Sequence, residues 1–166
     1  SGSAATISLD NAAVAGNNVS LTATAAQQPL SNYDNPVATV AATITVENGS
    51  DIRSTADTTI TASATQAEPE TGAGALVQFD ARDAAATVTI DNSEIVAGGN
   101  LAIATASDVE TDLSKEGWAG MASLLPADVA VAVTTSSADL NIGGSTTISA
   151  GGDAALTATA NTRSTV

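Results

Sequence analysis

A ten-residue phrase recurs four times in this chain with different letters: AAVAGNNVSL (12–21), DIRSTADTTI (51–60), EIVAGGNLAI (94–103) and TISAGGDAAL (147–156). Its seventh position is always Asn or Asp (Asn18, Asp57, Asn100, Asp153), and its tenth is a large aliphatic (Leu21, Ile60, Ile103, Leu156). The second position is aliphatic as well, as Ala13, Ile52, Ile95 and Ile148. A chain that repeats a strand–turn–strand phrase stacks units, each covering the apolar face of its neighbour, instead of closing around one single-copy site. Such a chain offers an extended surface more readily than a catalytic cleft.

The segments before each copy extend the repeat. ATISLDN (5–11), ATITVEN (42–48), ATVTIDN (86–92) and ADLNIGG (138–144) carry alternating pairs: Ile7 and Leu9, Ile44 and Val46, Val88 and Ile90, Leu140 and Ile142. Alternation at period two predicts strands with one face inward. The third strands of the units are SLTATAA (20–26), TITASAT (59–65), LAIATAS (101–107) and ALTATAN (155–161). Each unit therefore reads as a strand, a turn at Asp-Asn, Glu-Asn or Gly-Gly, a second strand, a turn at AGGN or its equivalent, and a third strand. Gly16, Gly98, Gly99, Gly151 and Gly152 are placed where a positive φ is expected. Three strands around two tight corners make up most of one coil of a parallel β-helix, an all-β β-solenoid whose coils stack at about 4.8 Å.

The copies are unevenly spaced, and each linking segment holds a further strand-like run: 36–46, 75–90 and 127–142. Each link is expected either to add a coil or to form one long side of its unit. In the last, Val129, Val131 and Val133 alternate with Ala, which suggests an inward valine face. The core material supports a narrow interior. Apolar residues make up 43% of the chain, yet it has one Phe, one Tyr, one Trp and one Met, so Ala, Val, Ile and Leu must fill the inside. A compact sandwich would use aromatics as bulk.

The balance of 18 acids against Lys115, Arg53, Arg82 and Arg163 gives a formal charge of −14. Four scattered cations cannot neutralise a run of phosphates, so nucleic acid is excluded as a partner, and anionic membrane surfaces are disfavoured for the same reason. No apolar run approaches the ~20 residues of a helical membrane span, which argues against direct membrane insertion. The acidity reads mainly as solubility and self-repulsion. With no Cys and no His, the common nucleophile–base arrangements are absent, and no motif surrounds Lys115. Carboxylates fall at turns and loops without the clustered acids and bases of a glycoside-cleaving site. An enzyme is not expected, and no catalytic or cofactor-binding residue is assigned.

Calcium is the one cofactor the acids raise. Asp10, Glu47 and Asp91 recur at one corner of the unit, and Asp57 and Asp153 at another, where stacked carboxylates can share an ion or simply form solvated turns. The first series is broken by Gly143, and neither a calcium-roll nor an EF-hand pattern occurs, so no metal ligand is assigned. Thr22 and Thr24, Thr61 and Ser63, and Thr157 and Thr159 are expected to point outward at matching places, as on an ice-binding face or on any exposed strand. The loops 30–36, 66–74 and 112–126 interrupt the pattern. In the last, Ser114 can cap a short helix ending before Pro126, with Trp118, Met121, Leu124 and Leu125 on one side. That side either covers solenoid core or presents an apolar contact. Tyr33, Trp118, Met121 and Leu124 are the candidate partner contacts.

Phrases such as ATVTIDNSEIVAGGNLAIATAS and ADLNIGGSTTISAGGDAALTATA resemble the shaft repeats of filamentous-haemagglutinin-like and leukotoxin-type adhesins of Gram-negative bacteria. The likeness is one of style, and it covers most of residues 4–166 outside the 112–126 insertion. It implies a right-handed parallel β-helix, secretion or display at the cell surface, and contact with a host-cell surface protein or glycan. Ser1-Gly2-Ser3 reads as a cloning scar, and residues 4–166 as a single β-solenoid fragment of a longer repeat protein. A fragment cut this way carries open ends through which end-to-end self-association is expected.

Overall fold

The computed structural model describes residues 2–27, 37–67, 77–112 and 129–165, and these are strand and turn throughout. The chain climbs in tiers of three strands. The first tier is β1 (Gly2–Asp10), β2 (Ala13–Gly16) and β3 (Val19–Gln27). The second is β4 (Val37–Glu47), β5 (Asp51–Ser54) and β6 (Thr58–Gln66), and the third is β7 (Val77–Asp91), β8 (Glu94–Ala97) and β9 (Leu101–Asp112). The fourth is β10 (Val129–Gly143), β11 (Thr147–Ala150) and β12 (Ala154–Thr165). Equivalent strands pair in parallel to give three four-stranded sheets, ordered β1-β4-β7-β10, β2-β5-β8-β11 and β3-β6-β9-β12. The result is an all-β, solenoid-like stack.

The linking runs open the second, third and fourth tiers and add no tier of their own: their described residues, 37–46, 77–90 and 129–142, lie in β4, β7 and β10. In each case one unbroken strand runs through the link and into the phrase that follows. The strand that opens the tier therefore lengthens from 9 residues in β1 to 11 in β4 and 15 in β7 and β10. β1 begins at Gly2, which pairs with Thr39.

Register places like on like. Ile7, Ile44, Val88 and Leu140 form one column, and Leu9, Val46, Ile90 and Ile142 the next. The tenth positions of the phrase, Leu21, Ile60, Ile103 and Leu156, form another. The second position needs a correction in the first copy: Val14, not Ala13, stands over Ile52, Ile95 and Ile148. The first copy has one residue fewer between its second and third strands, which shifts β2 by one place.

In the middle tiers these aliphatics are sealed, with Ile44, Ile52, Ile60, Val88, Ile90 and Ile95 at 0% exposure. Each such burial contributes about 1.5–3 kcal/mol. The first and third sheets pack face to face. Between them the inward columns are small, as in Ala5–Ala42–Ala86–Ala138 and Ala23–Ala62–Thr105–Ala158. That close approach explains a core almost free of aromatics.

Val133 does not point inward as its alternation suggested; it is 49% exposed. β10 pairs with β7 one-to-one from Val129–Val77 to Gly143–Asp91, without a bulge. Seating Leu140 and Ile142 on Val88 and Ile90 fixes the parity of the whole strand, and Val133 falls on the opposite face.

Candidate functional site

The second corner explains the invariant Asn or Asp of the phrase. The Asn18 side-chain oxygen accepts the backbone N–H of Asp57 at 3.2 Å, Asp57 Oδ1 accepts that of Asn100 at 2.8 Å, and Asn100 Oδ1 accepts that of Asp153 at 2.9 Å. Backbone bonds run the other way: the N–H groups of Val19, Thr58 and Leu101 donate to the carbonyls of Asp57, Asn100 and Asp153. Corner groups that would otherwise be orphaned between two strands are thereby satisfied from the next tier. The glycines of this corner serve closeness, and the positive φ expected of them is not found. A Cβ on Gly98 would overlap the carbonyl oxygen of Thr55, and one on Gly151 would overlap that of Gly98.

Positive φ belongs to the first corner. Asn11, Asn48 and Asn92 adopt 47°, 57° and 47°, and Gly144 completes the column at 59°. Asn is among the few side chains that tolerate this region, and Gly does so freely. Inside the same corner Ser50 is 1% exposed, and its hydroxyl donates to the Glu47 carbonyl at 2.7 Å. Ser93 repeats this arrangement on Asp91 at 2.8 Å, and Thr146 on Gly143.

The first-corner acids stack in a single column, Asp10–Glu47–Asp91, ended by Gly143. Among the described residues no group of three or more acids comes together in a way that could hold a metal ion. Asp10 instead accepts a hydrogen bond from the Asn48 amide at 2.9 Å, and Asp91 one from Asn92 at 2.7 Å. On the second sheet Arg53 bridges Asp51 in its own strand at 2.8 Å and Glu94 in the next tier at 2.6 Å. The Asp51 hydrogen bond and charge, then Glu94, hold the guanidinium pKa above its ordinary value.

The outward Thr positions lie in directly adjacent rows on the third sheet. Thr22, Thr61, Ala104 and Thr157 form one column, and Thr24, Ser63, Ala106 and Thr159 another, so alanines interrupt both rows in the third tier. A different outward column was missed by sequence reasoning. Val37, Ala81 and Val133 align on the first sheet, beside the third corner where the long connectors leave, with Val37 at 51% exposure. The signal available was the change of apolar parity between Val133 and Leu140.

The interior at this third-corner end is also unlike the rest. Gln66 and Thr111 are each 1% exposed there, Arg82 is 4% exposed at an inward position, and Thr105, midway along β9, is also 1% exposed. Both amide atoms of Gln66 and the hydroxyls of Thr105 and Thr111 have no hydrogen-bond partner among the described residues. Ser107 is satisfied by the Ala84 carbonyl at 2.8 Å and shares a hydrogen bond with Ser136 at 2.7 Å.

Tyr33, Trp118, Met121 and Leu124 fall outside the described residues, as does the helix expected within 112–126 beyond Asp112, the last residue of β9. Among the described residues no helix is long and apolar enough to cross a membrane. No family model, no curated protein and no solved structure matches this chain.

Proposed function

We propose that the chain is a segment of a right-handed parallel β-helix shaft from a secreted or cell-surface bacterial adhesin, with no enzymatic role. The observation that carries this reading is the in-register pairing of all three sheets through four tiers, joined by three connectors of unequal length. Continuous ladders of backbone hydrogen bonds around a dry aliphatic core resist bending, and that stiffness is what a shaft requires. Variation is tolerated where the connectors leave, and recognition in repeat scaffolds sits in such loops. The resemblance of the repeats to Gram-negative filamentous adhesins supports the same reading, with a host-cell surface protein or glycan as the partner.

The contact segment is the insertion 112–126, holding Trp118, Met121 and Leu124 within the connector 113–128, with Tyr33 in 30–36 as a second point and 66–74 as a third. The outward column Val37–Ala81–Val133 lies near the end of the tiers from which the connectors leave. Replacing 113–128 by a short Gly/Ser linker, then measuring binding to epithelial cells and to glycan and matrix-protein arrays, tests the assignment. Binding should fall at least tenfold while the β-sheet circular dichroism is retained. Unchanged binding removes 113–128 as the contact. A ligand-free spacer is the second reading, favoured by the small Ala, Ser and Thr side chains of the outward columns Thr22–Thr61–Ala104–Thr157 and Thr24–Ser63–Ala106–Thr159, and it predicts that the intact chain binds none of these probes.

A further inference from the structure

Asn48 and Gly49 form the only Asn-Gly pair in the sequence. Such a pair carries its own reaction, because glycine sets no side chain between its backbone nitrogen and the preceding amide carbon. Hydroxide removes the Gly49 N–H proton and the nitrogen attacks Cγ of Asn48. The Cγ–Nδ2 bond then breaks, and Nδ2 leaves as ammonia after taking a proton from water. A second water opens the five-membered imide at one of its two carbonyls, leaving an aspartyl or an isoaspartyl residue at position 48.

The turn itself calls for this pair. The first corner of the second tier holds three residues, Asn48, Gly49 and Ser50, where those of the first and third tiers hold two. Asn48 has a φ of 57° and Gly49 of 82°, two left-handed residues in succession. Glycine adopts that region freely, and Asn is among the few others that tolerate it. Asn11 and Asn92 occupy the same left-handed position, but Ala12 and Ser93 follow them.

The stack holds the two reacting groups on different neighbours. The Asn48 amide nitrogen donates to Asp10 Oδ1 in the first tier at 2.9 Å, whereas the Gly49 N–H donates to the Asn92 carbonyl in the third tier at 2.7 Å. One bond draws the electrophile toward the tier below, and the other turns the nucleophile toward the tier above. The next residue is pinned as well, since the buried Ser50 hydroxyl bonds the carbonyls of Leu9 and Glu47. The carboxylates of Asp10 and Glu47 at this corner disfavour the amide anion that attack requires.

We propose that Asn48–Gly49 is a modification site that stacking keeps closed, so that deamidation proceeds only when the second-tier corner parts from Asp10 and Asn92. The product records that opening in one direction. It replaces the donor to Asp10 by a second carboxylate, and its isoaspartyl form adds a methylene to the backbone of a corner that has to match both neighbouring tiers. This inference does not depend on the adhesin reading.

Peptide mapping by mass spectrometry of the unaltered chain in mildly alkaline buffer reads the reaction as a gain of one mass unit at position 48. Conversion should be at least tenfold slower in the folded chain than in the same chain unfolded in concentrated urea. Equal rates overturn the proposal. Over a urea series below the unfolding transition, conversion and hydrogen exchange at the Gly49 N–H should rise together. Conversion while that N–H stays protected overturns the proposal too. Asp10→Ala removes the acceptor of the Asn48 amide and should speed conversion several-fold with the β-sheet dichroism retained. Asp10→Asn, which keeps a side-chain oxygen but loses the charge, should fall between the two. An Asp10→Ala rate equal to that of the unaltered chain overturns the role given to Asp10. Should Asp10→Ala lose its dichroism, the exchange comparison on the unaltered chain decides.

Discussion

The first two corners of each tier hold two or three residues wherever they occur, while the connectors at the third corner, 28–36, 67–76 and 113–128, differ widely in length. The difference extends inward. At the tight corners polar groups are matched tier to tier by the Asn and Asp ladder and within each corner by the hydroxyls of Ser50 and Ser93. At the third-corner end Gln66 and Thr111 are buried with polar atoms that find no partner among the described residues. One side of the stack is specified by stacking itself, because any change there must fit the tiers above and below. The other is free to vary, and its interior is less completely satisfied.

Substitutions should therefore move stability in opposite directions on the two sides. The largest effect is expected at the second corner. Gly98→Ala forces a Cβ onto the Thr55 carbonyl and should cost about 1–3 kcal/mol in urea unfolding. Gly16→Ala, whose nearest neighbour would be the Asn18 carbonyl at 3.2 Å, should cost less. Equal losses would show that closeness between tiers is not what selects glycine at 98.

The opposite sign is expected next. Gln66→Leu replaces a buried amide without a partner among the described residues by an apolar group and should raise stability by about 1–2 kcal/mol, with Thr111→Val following by about 1 kcal/mol. A loss at both positions would mean that this end is as fully satisfied as the corners. Smallest of the three, Asn100→Ala removes the acceptor for the Asp153 N–H at an exposed site and should cost about 0.5–1.5 kcal/mol. Amide exchange at Asp153 should quicken in the same variant, which ties the loss to the ladder and not to general fraying.

Much of the architecture was legible because stacking repeats a physical constraint in every tier. Ile60, Ile103 and their equivalents mark an inward column, and the Asn or Asp three places earlier marks a corner whose N–H and oxygen must be satisfied. The contact residues were legible only as interruptions. Trp118, Met121 and Leu124 have no counterpart in the other copies, so no pairing rule places them.

The residues alone thus determined the repeat, its phase, an aliphatic core without aromatic bulk and an acidic surface, all of which follow from local pattern and composition. The tertiary structure alone decided the rest. Strand pairing made the links long sides of existing tiers, moved Val14 into the Ile52 column, and turned Val133 outward by fixing the parity of β10 at Leu140 and Ile142. It also assigned positive φ to Asn11, Asn48 and Asn92 and close approach to the glycines of the second corner. A residue's partner in a stacked fold lies 37 or more positions away, and the register that joins the two is a property of the whole ladder.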